Sequence, residues 1–311
     1  MLARPGLPSF DYVRATSAED VRRLLLEHGP AAGLLMGGTD LFPRMRDRLL
    51  RPNLVVDVKS VPGLRDIGYD TQDGLCVGAA VSLNVLASHP DVQEHYPLLV
   101  EAANSVASYQ VRTRATLGGN LCNASPAADM APAALCLDAQ VELYGAAGYR
   151  RVPVGGFILG PGRTALDPGE FMVAIRFPSP RAGSHGTYIK LGRNRAGDLA
   201  IVGVAVYGYP DAANRVTGCR FRIALASVAP VPVRAPAAEE AAALNPRAAD
   251  RLRAAADAAA EAASPVDDVR ASAVYRREMV RNLVMRGLRY VTAKLGRPEG
   301  GWSVGLGEES A

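Results

Sequence analysis

The chain has 311 residues, 49% hydrophobic and 21% charged, a globular composition long enough for two domains or one large one. Its 35 Lys and Arg against 31 Asp and Glu leave a net charge of +4, a small, dispersed excess that gives no footprint for nucleic acid. No apolar run reaches transmembrane length, and MLARPGLPSFDY lacks the apolar core of a secretory signal, so a cytoplasmic protein without membrane insertion is expected.

Thr16 and Glu19 read as a capping box ahead of a short amphipathic helix carrying Val21, Leu24 and Leu25, which Gly29 stops. GLLMGG reads as a buried strand running into a glycine turn, with Thr39 and Asp40 placed to cap a short helix over FPRMRDRLL. The arginines of that helix read as a solvated face. LVVDV at 54–58 is a strand by its β-branched content, so residues 1–60 make a small α/β unit.

Pro62-Gly63 marks a turn, and LRDIGYD and GLCVGAAVS are expected to pair around Gly74. Ser82 is the expected N-cap of SLNVLAS, and Val92, Tyr96, Leu99, Val100 and Ala103 predict one helix over about 91–108. After VRTRATLGGNLCNASPAADM come an Ala-rich helix, a strand at VELYG, and strands at YRRVPV and EFMVAIRFP around the loop GGFILGPG. Pro178-Ser179-Pro180 and RAGSHG mark a linker at 178–186. GTYIKLG, DLAIVGVAVYGY and VTGCRFRIALASV then predict antiparallel strands ended by Pro230, Pro232 and Pro236. Helices broken at Asn245-Pro246 fill 237–263. The last helix is amphipathic, with Tyr275, Met279, Leu283 and Tyr290 on one face, and is expected to lie on that sheet. An irregular tail at 293–311 ends the chain.

Cys76, Cys122, Cys136 and Cys219 are too dispersed for a zinc or iron–sulfur cassette, and the four histidines show no metal spacing. Neither a G-x-G-x-x-G nor a Walker A loop occurs. The chemistry concentrates instead in two glycine pairs, Gly37-Gly38 and Gly118-Gly119. Glycine permits unusual φ and close backbone approach, and consecutive N–H groups in such turns bind anions. Asn120, Asn123, Ser125 and Asp129 crowd the second pair, and Arg112 and Arg114 precede it. One glycine turn is a common surface feature, and two such loops suit a single pyrophosphate, which needs dense N–H donation more than positive side chains. A Cβ at Gly119 is expected to intrude on that approach.

LLMGGTDL with VRTRATLGGNLCNASPAAD, followed in order by GEFMVAIRFP, YIKLGRNRAGDLAIVGVAV and DDVRASAVYRREMVRNLV, resembles the medium, FAD-binding subunit of the molybdenum hydroxylases. These include xanthine dehydrogenase, carbon monoxide dehydrogenase and 4-hydroxybenzoyl-CoA reductase relatives. The resemblance implies an α+β chain: a vanillyl-alcohol-oxidase-type FAD-binding fold of two α/β subdomains (1–60 and 61–178), then a C-terminal domain of antiparallel sheet and helices (185–292). It implies FAD held on one side by Leu34, Leu35, Met36, Gly37, Gly38, Thr39 and Asp40, and on the other by Thr116, Leu117, Gly118, Gly119 and Asn120. Ser125 and Met172 are implied to lie close, with Asp129 hydrogen-bonding sugar or ribityl hydroxyls. Lys190 resembles a lysine placed near the flavin ring, and Tyr188 is a candidate to cover it.

Implied partners are a large molybdopterin-binding subunit, a small [2Fe–2S] subunit, and NAD or another electron acceptor. TLGGNLCNASPAAD runs without the cysteine-bearing insertion of the 4-hydroxybenzoyl-CoA reductase subunits, which disfavours that reductase. The rival expectations are a self-sufficient FAD oxidase or dehydrogenase, for which no acid or base is nominated, and a non-catalytic nucleotide-binding module.

Overall fold

A computed structural model describes residues 6–194, 197–244 and 248–295. The expected tail from 296 onward, including Trp302, lies outside the described residues, as does the Asn245-Pro246 break.

The chain opens with a parallel sheet in the order β1-β3-β2, from β1 (Asp11–Arg14), β2 (Ala32–Leu35) and β3 (Leu54–Asp57). Helix α1 (Ala18–His28) crosses from β1 to β2, and α2 (Leu41–Arg46) lies between β2 and β3. Gly29 ends α1 in the left-handed region, as expected. The N-cap, however, is Ser17, whose hydroxyl accepts from Asp20 N, one residue beyond the Thr16/Glu19 box. Two Thr/Ser candidates stood side by side, and burial of Val21 and Leu24 fixed the phase.

The second sheet, β4-β5-β10-β6-β7, is antiparallel and built from β4 (Ile67–Asp70), β5 (Gly74–Gly78), β6 (Gln140–Gly145), β7 (Gly148–Pro153) and β10 (Phe171–Phe177). Gly74 turns β4 into β5 with φ of 84°, as the sequence suggested. Between β5 and β6 run α3 (Leu83–Ser88), α4 (Pro90–His95), α5 (Pro97–Ser105), α6 (Tyr109–Arg112), α7 (Leu117–Cys122) and α8 (Met130–Cys136). Ser82 caps α3. The single helix expected over 91–108 is two, α4 and α5. Pro97 lacks the N–H needed to continue the first and starts the second at its N-terminal turn. The segment GGFILGPG holds a turn of helix, α9 (Val154–Phe157), and a small hairpin of β8 (Ile158–Gly160) and β9 (Arg163–Thr164).

The third sheet is antiparallel, β11-β12-β13-β14, from β11 (His185–Leu191), β12 (Val202–Pro210), β13 (Cys219–Ala226) and β14 (Val233–Arg234). The linker is therefore shorter than 178–186, because His185 and Gly186 already pair with Gly208 and Tyr207. The proline run does not end the sheet outright. Val233 and Arg234, between Pro232 and Pro236, add the edge strand β14. Helices α10 (Pro236–Leu244), α11 (Ala248–Ala262) and α12 (Ala273–Lys294) follow.

Strand β12 reads as continuously apolar because both its faces are covered. Val202, Val204 and Val206 enter the core under α10–α12, whereas Ala205 and Tyr207 enter the core shared with α5 and α8. The third sheet is thus a wall between two cores and is fixed against α5 and α8 by its own side chains.

The buried face of α12 carries Arg276, Val280, Val284, Gly287, Leu288 and Val291, one position along from the expected Tyr275/Met279/Leu283 stripe. Tyr275 and Tyr290 are exposed. Arg276 makes the difference: it is 2% exposed and donates to the carbonyls of Ile201 and Ser227 and to Asp268. A buried arginine is tolerated only with such partners, and hydropathy reads it as a solvent residue. Among the described residues no helix is long and apolar enough to cross a membrane, and no group of His, Cys, Asp or Glu is arranged to hold a metal ion.

Candidate functional site: a cleft between two glycine-bearing loops

A cleft of about 380 Å³ is bounded by the turn after β2, by α7 and the segment behind it, and by the loop joining β11 to β12. The two glycine segments do converge there. A Cβ built on Gly37 falls 2.2 Å from Arg114 O and 2.9 Å from Arg114 C, so only glycine lets these backbones touch. The side chains are linked as well: Asn123 Nδ2 donates to Asp40 Oδ1 at 3.1 Å, and Thr116 Oγ1 lies 4.0 Å from Met36 Sδ.

The two segments play different parts. In the first, Gly38 has φ of 75°, and the four consecutive amides of Gly37, Gly38, Thr39 and Asp40 find no protein acceptor among the described residues. Such a row of N–H groups is an anion-binding nest. Asp40 stands at the N-cap position of α2 without bonding its amides, so the capping role expected for Thr39 and Asp40 is not taken up by either side chain.

In the second segment the glycine pair is not a turn but lies inside α7, with Thr116 as N-cap accepting from Gly119 N at 3.0 Å. Leu117 N donates to Val81 O and Gly118 N to Ala79 O. The helix start is therefore already satisfied, and the second nest expected at Gly118-Gly119 does not exist. Gly118 is glycine for packing, since its Cβ would sit 2.6 Å from Ala79 O and Cβ. Gly119 faces the cleft, where a Cβ would meet only Thr116 Oγ1, at 2.8 Å.

Leu34, Met36–Asp40, Thr116, Gly119, Asn120, Ser125, Asp129 and Met172 line the cleft, whereas Leu35, Leu117 and Gly118 are core residues behind it. Asn120 Oδ1 accepts from Met130 N, and Ser125 Oγ from Ala127 N, so both polar side chains are held in place.

Tyr188 and Lys190 meet at Asp129 rather than at the open cleft. Tyr188 Oη donates to Asp129 Oδ1 and Lys190 Nζ to Oδ2, each at 2.8 Å, and Nζ also reaches Ser105 O at 3.0 Å. Asp129 is 5% exposed; burial raises its proton affinity, and Lys190 and Tyr188 oppose that rise. Burial beside Asp129 pushes the Tyr188 phenol well above its ordinary range, which keeps it a hydrogen-bond donor. The ring of Tyr188 does not line the cleft.

Sequence reasoning missed the apolar walls, Val106, Ala107, Leu166, Phe171 and Leu199, because nothing distinguishes an apolar lining residue from a core one. It reads the α2 arginines as a solvated face, and Cys122 as a small buried residue rather than one approaching a ligand, yet Arg44 and Cys122 both line the cleft. Arg44 is the one helix α2 arginine that lines the cleft. Burial lifts the Cys122 thiol to about 12, which leaves it a neutral small side chain, not a nucleophile.

An amide nest, a fixed polar wall and a buried acceptor in a partly apolar cleft suit a nucleotide diphosphate carrying an aromatic group. FAD has this anatomy. Residues 8–180 match the model of the FAD-binding domain in molybdopterin dehydrogenase, and residues 187–291 that of the CO dehydrogenase flavoprotein C-terminal domain. The carbon monoxide dehydrogenase medium chain of Hydrogenophaga pseudoflava is 36% identical over 92% of this chain and 98% of its own length. A putative xanthine dehydrogenase FAD-binding subunit of Escherichia coli is 32% identical over 92% and 97%. Among solved structures, carbon monoxide dehydrogenase from H. pseudoflava superposes with a TM-score of 0.88, at 38% identity over 93% of this chain and 99% of that one. Quinoline 2-oxidoreductase from Pseudomonas putida superposes with 0.86 at 28% identity, over 93% and 99%. The chain belongs to the FAD-binding medium subunits of the molybdenum hydroxylase family, and is an oxidoreductase subunit with FAD as the cofactor of its own domain.

Proposed function

We propose that this chain is the flavoprotein component of a heteromeric molybdenum hydroxylase, carrying electrons between a small [2Fe–2S] subunit and an external acceptor such as NAD, with the substrate handled on a large molybdopterin-binding subunit. The observation that carries the reading is the row of four unpartnered amides at 37–40, facing the polar wall of 119–129 inside a domain of this family. Bound FAD would supply two-electron redox chemistry.

The residues of the chain bind and orient. The amides of Gly37 to Asp40 hold the diphosphate, with Arg44 at the same end adding charge. Asn120, Asn123 and Ser125 give the facing wall donors and acceptors in fixed positions. Asp129, held by Tyr188 and Lys190, accepts from cofactor hydroxyls, and Lys190 places a positive charge beside the site. Val106, Ala107, Leu166 and Phe171 exclude water from the aromatic portion. No side chain is assigned as a substrate acid or base: the cleft carboxylates of Asp40, Asp129 and Asp198 are tied to Asn123, Lys190 and Arg193.

The same reading accounts for the names of the relatives, which are medium chains and FAD-binding subunits of dehydrogenases. The test is purification from cells expressing the whole enzyme, followed by anaerobic addition of NADH. Co-elution with a large and a small polypeptide, bleaching of the flavin bands, and no substrate turnover by the isolated chain are expected. Turnover of small alcohols or aromatic aldehydes by the isolated chain refutes the subunit reading.

A further inference from the structure

Glu101 does not line the cleft, yet it stands at the joint that delivers Tyr188 and Lys190 to Asp129. Strand β11 is an edge strand, paired on one side only, with β12. Its free edge would leave backbone donors without partners. Glu101, in the middle of α5, closes part of that edge: its Oε2 accepts from Thr187 Oγ1 at 2.9 Å and from Tyr188 N at 2.8 Å. One helical turn later, the carbonyl of Ser105 at the end of α5 accepts from Lys190 Nζ. A helix C-terminus offers unpaired carbonyls and the negative end of its dipole, so it suits an ammonium group. Residues 101 and 105 share one helix face and grip residues 187, 188 and 190 of the strand. Two of these residues, Tyr188 and Lys190, hold Asp129 through their side chains.

We infer that Glu101 is a positioning residue for the cofactor: by fixing the register of β11 against α5, it sets where Tyr188 and Lys190 hold the Asp129 carboxylate that lines the cleft. This rests on the reading of the cleft as the FAD site. Both groups that Glu101 accepts from are neutral, a hydroxyl and a backbone amide. The inference therefore calls for an acceptor at this position, not a charge.

The experiment measures FAD affinity of the full chain by quenching of flavin fluorescence, together with the visible circular dichroism of the bound flavin and the melting temperature. Glu101→Ala is expected to raise the FAD Kd by about tenfold, the size expected for losing two hydrogen bonds counted at the strength of an uncharged acceptor, and to change the flavin dichroism. Glu101→Gln, which keeps the accepting oxygen, is expected to restore both. In a Tyr188→Phe, Lys190→Met background, Glu101→Ala is expected to have no further effect on Kd, because its route to the cleft is gone. Should Glu101→Ala not fold, Thr187→Val removes one of the two donors and is expected to raise Kd by about threefold.

A lowered melting temperature with parental Kd and dichroism would make Glu101 structural only and overturn the inference. So would effects that add in the combined variant, or failure of Glu101→Gln to rescue. If the parent chain takes up no FAD at all, it is the cofactor reading that fails, and the two failures are distinguishable.

Discussion

Replacing Gly37 by alanine tests the convergence of the two loops. The new Cβ would lie 2.2 Å from Arg114 O and 3.1 Å from Ala115 Cα, whereas ordinary contact begins at 3.4 Å. Every atom it meets is backbone, so no side chain can rotate away, and the segments must part by roughly an ångström. Overpacking of this kind costs about 1–3 kcal/mol. The larger effect falls on the ligand, because the amides of 37–40 would move off the wall formed by 119–129. Losing one hydrogen bond to a charged phosphate costs about 1.5–3 kcal/mol, roughly 10–150-fold in Kd.

Titration of the apo-chain with FAD, followed by flavin fluorescence, measures that change, with circular dichroism to show the fold is kept. Gly118→Ala is the control. Its Cβ would lie 2.6 Å from Ala79 O and Cβ, but its amide is already bound to Ala79 O, so it should destabilise the fold without a selective loss of affinity. Gly119→Ala meets only a rotatable hydroxyl and should be mild, whereas the branches of Gly119→Val project into the cleft and should weaken FAD retention. A folded Gly37→Ala variant with the parental FAD Kd would refute the reasoning.

Other consequences follow from the buried charges. Lys190→Met leaves Asp129 without its countercharge and should destabilise the chain by about 3–5 kcal/mol in urea unfolding, with much of the loss recovered in Lys190→Met, Asp129→Asn. Arg276→Met strands the carbonyls of Ile201 and Ser227 and the Asp268 carboxylate, and should cost a similar ~3–5 kcal/mol, read by urea unfolding of the C-terminal helices. At Asp57, burial raises proton affinity, but bonds from the Lys59 ammonium at 2.8 Å and the Tyr12 hydroxyl at 2.6 Å outweigh it and hold the carboxyl below its ordinary value. The unfolded chain then protonates first as pH falls. The stabilisation is present above the unfolded value of about 4 and is lost as pH drops through the folded one. Asp57→Asn should flatten that part of the acid limb in a pH series of thermal melts.

Much of the frame was legible because its signals are local. Gly29, Gly74 and Ser82 end or begin elements through their own backbone or hydroxyl chemistry, and β11–β13 show their β-branched runs. The misses share a cause: the deciding partner is distant in sequence. Arg276 is buried because Ser227, Ile201 and Asp268 surround it, which shifts the whole face of α12. Gly118-Gly119 resembles Gly37-Gly38 in sequence, but Val81 O and Ala79 O consume the amides of Leu117 and Gly118 and pull the pair into a helix. The sequence places Tyr188 and Lys190 at the flavin ring, whereas neither lines the cleft. Their shared attachment to Asp129 and α5 belongs to the packing of one domain on another, which no local pattern encodes.

The central claim is that the cleft holds FAD, and the absorbance spectrum of the purified, full-length chain tests it most directly. Bands near about 375 and 450 nm, with one FAD released per chain on denaturation, are expected either as purified or after incubation with FAD and gel filtration. A chain that remains folded yet shows no flavin bands after that incubation would contradict the account.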